Sequence, residues 1–129
     1  MFNSLEIMKM AQGMAVHAAQ RQSLIAENIA NADTPRYRAQ DMTAFADAYR
    51  GEMQGRGLHA TRPGHITSAS STHPANLVFD AAGAETPNGN TVSLETEMVR
   101  ATEVRHQHDM ALSIYKTSLD VLRASIGRR

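Results

Sequence analysis

The 129-residue chain has no cysteine. This excludes disulfides, thiolate catalysis and cysteine-ligated zinc, and it is compatible with any compartment. Tryptophan is also absent and aromatics make up only 5% of the residues, so large core anchors are scarce. Eight methionines and many alanines stand in their place. No sign of charge predominates, with 13 basic against 13 acidic residues and no charged block at either end. Nucleic-acid affinity depends largely on excess Lys and Arg meeting phosphate, so this balance argues against such a partner. No apolar run approaches the roughly 20 residues needed to span a bilayer. The opening MFNSLEIMKMAQGMAVHAAQ lacks the basic n-region and uninterrupted apolar h-region of a secretory signal. Any export is therefore expected to use another route.

The length fits a single domain with a modest core, and the chain divides into three stretches, 1–32, 33–92 and 93–129. In the first, Ile7, Ala11, Met14, Ala18, Ile25 and Ile29 recur at helical spacing and form one stripe. The stripe is rich in small residues, which admit a close second helix but bury little area each. Ser4 is the expected N-cap, and Arg21 and Gln22 interrupt the seam. Pro35 biases Thr34 away from helical angles, so this helix is predicted to end near Asn31–Asp33.

The last stretch carries the strongest pattern. Leu94, Met98, Ala101, Arg105, His108, Leu112, Tyr115, Leu119, Leu122 and Ile126 alternate at steps of four and three, a heptad seam over nearly five repeats. Ser93 is placed to cap its start, Glu95 and Glu97 suit the first turn, and Gly127 sits where a terminating glycine belongs. At about 1.5 Å per residue such a helix is about 50 Å long, longer than a domain this small needs for its own core.

Between them lie all four prolines and six of the eight glycines. One amphipathic helix is predicted in DMTAFADAYRGEM, with Met42, Phe45, Tyr49 and Met53 in register. The stretches LHATRPGHI and NLVFD are candidate edge strands, and TPNGNTVS is turn chemistry leading into the last helix.

No active site can be assembled from these residues. His106 and His108 diverge by about 200° on a helix and cannot share an ion as an i, i+4 pair could. His59, His65 and His73 fall in the loop-rich middle without a fixed spacing. Glu95 and Glu97 are explained by the helix dipole. No phosphate-binding loop and no Gly-x-Ser-x-Gly elbow is present. Neither a catalytic residue, a cofactor, a metal nor a small-molecule substrate is expected.

One segment is more telling. SLIAENIANADTPRYRAQD closely resembles the signature of bacterial flagellar rod and hook proteins, a helix ending in Asn-Ile-Ala-Asn followed two residues later by Thr-Pro-Gly-Tyr. Asn28, Ile29, Ala30, Asn31, Thr34, Pro35 and Tyr37 match it, and Arg36 replaces its glycine. A second block, NGNTVSLETEM, is similar to the run that opens the C-terminal helix of proximal rod proteins, with Ser93 where Asp is usual. A neighbouring proximal subunit normally has Pro-Asn-Val-Asp there, so it is the second choice. A Thr…Pro-Gly-His turn at Thr61 to His65 is a further, smaller match.

The resemblance implies a mainly α fold. Long N- and C-terminal helices would pair as an antiparallel coiled coil around a small irregular, β-containing middle segment. It implies a structural, non-enzymatic subunit of the torque-transmitting rod that crosses the periplasm, exported without a cleaved signal. The implied partners are other copies, other rod proteins, the adaptor at the membrane ring and the export gate. The same ten-position seam and the Asn28–Tyr37 motif would then carry assembly. A ligand-binding helical bundle would need facing carboxylates and i, i+4 histidines, which are missing. A non-flagellar coiled-coil adaptor would not need the Asn28–Tyr37 motif.

Overall fold

The computed structural model describes residues 2–53, 78–81 and 83–127. Two long helices dominate it. Helix α1 spans Phe2–Ala30 and helix α3 spans Leu94–Ile126, 29 and 33 residues respectively. Between them come strand β1 (Gln40–Met42), the short helix α2 (Phe45–Met53) and strand β2 (Val78–Asp80). The strands pair antiparallel, with Asp41 opposite Phe79.

The two long helices pack together and run antiparallel. Asn28, near the end of α1, meets Glu97, near the start of α3. The apolar core between them is small, consisting of Ala18, Ile25 and Val104 with Ala101 against them. Ala11 and Ala111 are buried further along the pair. Burying a side chain such as Ile25 stabilises by about 1.5–3 kcal/mol, whereas each alanine contributes far less. Apolar burial alone therefore leaves the pair marginal.

The intramolecular seam differs from the heptad read in the sequence. On α1, Ala11, Ala18 and Ile25 are buried and Met14 is half-buried, but Ile7 and Ile29 are exposed. On α3 the buried positions are Glu97, Val104 and Ala111, one residue off Met98, Arg105 and Leu112. Ala101, His108, Leu119 and Leu122 lie half-buried along the margin. Leu94, Met98, Leu112, Tyr115 and Ile126 face outward, Met98 at 64% and Ile126 at 71% exposure. The cause is Glu97. A count of apolar residues rejects it as a core position, yet its carboxylate is drawn inward by Asn28 and Arg100. This turns the helix by about 100° from the expected face.

The helix ends also differ in detail. Helix α1 begins at Phe2, so Ser4 lies within it and does not cap it. Ser93 holds the N-cap position of α3 with extended backbone, but its side chain makes no capping bond. Gly127 closes α3 with its N–H bonded to Arg123 O at 2.8 Å and a right-handed φ of −79°. The amphipathic segment starts later than expected, since Asp41 and Met42 belong to β1 and the helix begins at Phe45. Phe45 and Tyr49 do share a face, their rings stacked 5.7 Å apart. Of the candidate strands, NLVFD supplies β2, whereas LHATRPGHI and the turn at 61–65 lie outside the described residues.

Candidate functional site

The end of α1 is where sequence, bonding and charge converge. The helix does not stop at a single cap. Asn31 N–H divides its bond between Glu27 O and Asn28 O, both at 3.1 Å, and the chain then tightens through Ala32 N to Ile29 O and Thr34 N to Asn31 O. Pro35 has no N–H to continue the helix. Thr34 to Tyr37 then close a turn, with Tyr37 N–H donating to Thr34 O at 3.3 Å.

Proline at the second position and a positive φ at the third are the marks of a type II turn. Arg36 occupies that third position with φ 63°, alone among described non-glycine residues in having a positive φ. The family signature has glycine there. Arg36 keeps the turn geometry although a Cβ disfavours it. Its backbone is held by Asn88, whose carbonyl accepts the Arg36 N–H at 3.0 Å. Gly89 packs against it with φ 75°, and a Cβ there would meet Arg36 Cγ at 3.4 Å.

The loop before α3 completes the helix end. Asn90 is buried, and its amide nitrogen donates to the carbonyls of Asn31, Ala32 and Thr34 at 3.0, 2.8 and 2.8 Å. Its amide oxygen accepts from Val92 N–H at 2.7 Å. The carbonyls that a helix C-terminus leaves without partners are therefore satisfied from a segment nearly sixty residues away.

Asn28 is the centre of the site and is fully buried. Its Nδ2 donates to Gln40 O at 2.7 Å and to Glu97 Oε2 at 3.2 Å. Its Oδ1 accepts from Gln40 N–H at 3.0 Å and from the Tyr37 hydroxyl at 3.3 Å. One amide thus joins α1 to the turn, to β1 and to α3. Asn31, one helical turn on, is used differently. It bonds Glu27 O at 2.9 Å and accepts from Thr34 Oγ1 at 3.2 Å, both in exposed positions. Ile29, Ala30, Thr34 and Pro35 are exposed, and Tyr37 is half-buried.

Charged residues extend the network. Arg21 holds Asp41 through two bonds, Nε to Oδ1 at 2.7 Å and Nη2 to Oδ2 at 2.8 Å. Arg100 lies 3.8 Å from Asp41 and bonds Glu97 at 2.7 Å. Burial alone would raise the Asp41 carboxyl, but the Arg21 bonds, the Met42 N–H and the nearby arginines outweigh it and hold it below the usual range. The bond to Asp41 raises Arg21 in turn, against its burial. Beside this network, buried His17 bonds Thr43 O at 2.8 Å and meets Phe45 edge-on at 5.7 Å. Desolvation pushes His17 below its ordinary value, and Arg21 adds to this against Thr43 O and Asp41.

This arrangement contains no chemistry of turnover. Among the described residues no group of three His, Cys, Asp or Glu could hold a metal, and no helix is long and apolar enough to cross a membrane. It is a rigid polar junction. Sequence reading located Asn28, Asn31, Pro35 and Tyr37 but not Asn90, Glu97, Gln40 or the Arg21–Asp41 pair. Arg21 had been visible only as a break in an apolar stripe, the one available sign that a partner awaited it.

Comparison with known proteins agrees with this class of molecule. The family described as flagella basal body rod protein matches residues 11–38, the stretch that runs into the junction. The FlgB rod protein of Escherichia coli is 34% identical over 102 residues, 74% of each chain. That of Salmonella typhimurium is 31% identical, covering 78% of each. The FlgB of Agrobacterium fabrum is 29% identical over 96% of this chain and 95% of its own. The chain belongs to the flagellar basal-body rod protein family. Within that family its similarity is to FlgB, a structural rod component, and not to the neighbouring proximal subunit.

Proposed function

We propose that this chain is a proximal rod subunit whose helix pair becomes stable by packing among neighbouring subunits, and that it has no catalytic activity. The observation that carries this reading is the outward apolar edge of α3. Leu94, Met98, Leu112 and Ile126 are all exposed on one helix. A surface helix in a self-sufficient domain turns such residues inward. In a rod, neighbouring subunits cover them, and the rigid junction transmits load between the helix pair and the middle segment. Other rod proteins, the adaptor at the membrane ring and the export gate are the partners this role requires, and delivery proceeds without a cleaved signal.

The test is localisation with loss of function. Deleting the gene abolishes rod formation and swimming, and a tagged copy restores both and co-purifies with isolated basal bodies. Swimming by the deletion strain, or a restoring copy absent from basal bodies, contradicts the proposal.

A further inference from the structure

Helix α1 has a second face that the fold leaves uncovered. Gln12, Ala19, Ala26 and Ala30 are exposed and Ala15 is half-buried, at spacings of three, four and seven. Between Lys9 and Glu27 its ionisable groups are Arg21, held by Asp41, and His17, which is buried. A solvent-facing helix face normally carries charges, and their loss marks the core of an interface. On α3, the edge defined by Leu94, Met98 and Leu112, with half-buried Leu119, is large and apolar. The charges beside that edge are mostly basic: Arg105, Lys116 and Arg123.

We infer that the outer edge of α3 docks on the alanine face of α1 in a second copy of this chain. This rests on the rod reading above and names the surfaces that the assembly uses. Shape supports it, since large side chains need small ones opposite to bring two helices close. Charge supports it as well. Pairing α3 with α3 would oppose basic residues, whereas the α1 face presents no like charge and is bordered by Glu27. Pairing α1 with α1 would bury little but methyl groups. The two surfaces lie on different sides of the same molecule, so the contact is heterologous. Such contacts propagate into rings or helical arrays rather than closing a dimer. The edge is also continuous with the hairpin seam, which it shares at Ala101 and His108.

A chain without cysteine makes the test clean. Ala19→Cys and Leu112→Cys are placed on separate copies, expressed together, and assembled basal bodies are treated with a short bismaleimide. Each copy carries one thiol, so a mixed dimer reports contact between copies. The mixed dimer is expected as the dominant product, absent when either variant is expressed alone. Three results overturn the inference: no mixed dimer although both variants are present in basal bodies, a dominant Leu112–Leu112 dimer, or a dominant Ala19–Ala19 dimer. Absence of the unmodified chain from basal bodies instead overturns the rod reading, and the interface with it.

Discussion

Asn28 and Gln40 bond to each other as paired strands do. The Asn28 amide donates to Gln40 O and accepts from Gln40 N–H, at 2.7 and 3.0 Å, so a side chain stands where a neighbouring strand would be. The free edge of a two-stranded sheet is thereby fastened to a helix. Removing this amide leaves buried backbone groups unpartnered, at about 1–3 kcal/mol each. Asn28→Ala should cost on the order of 3 kcal/mol in urea unfolding, with Asn31→Ala costing less than about 1 kcal/mol because its bonds are exposed. Equal costs for the two variants would mean the buried amide is not the anchor.

Arg36 holds a conformation that suits glycine. An L-residue with positive φ is disfavoured by about 1–2 kcal/mol, while glycine in the unfolded chain gives back about 0.4–1. Arg36→Gly is therefore expected to raise stability by about 0.5–1 kcal/mol. A drop in the unfolding midpoint would show instead that the Arg36 side chain supplies more than its backbone loses.

Acid should loosen the junction in two stages. His17 and Asp41 both sit below their ordinary values of 6.5 and 3.8. The unfolded chain therefore binds more protons than the folded one as each window is crossed, and stability falls as pH falls. The His17 contribution is complete above about 6.5 and declines below it, and that of Asp41 declines below about 3.8. In His17→Gln the unfolding midpoint should vary less between pH 7 and 5 than in the parent chain. An unchanged pH slope would assign the effect to other groups.

How far the sequence could be read depended on which interactions are local. The extent of α3 follows from a repeating apolar pattern, and the end of α1 from Pro35 and the asparagines before it. Both are properties of neighbouring residues. Glu97 and Asn90 are different, because each is an ordinary polar residue until a partner nearly sixty or more positions away is in place. Glu97 therefore displaced the apparent seam by one position without leaving a sign in the periodicity. Gln40 was hidden for a related reason, since its contribution is backbone alone and any residue can supply it. Strand β1 has only three residues and owes its place to Asn28, Arg21 and β2, not to strand propensity.

The account holds above all that the buried junction makes the helix pair competent to assemble. The most direct measurement is a count of basal bodies from cells producing Asn28→Ala at the level of the parent chain, with Asn31→Ala beside it. Few rods and little swimming are expected for Asn28→Ala, and near-normal numbers for Asn31→Ala. A full complement of basal bodies with Asn28→Ala would contradict the account.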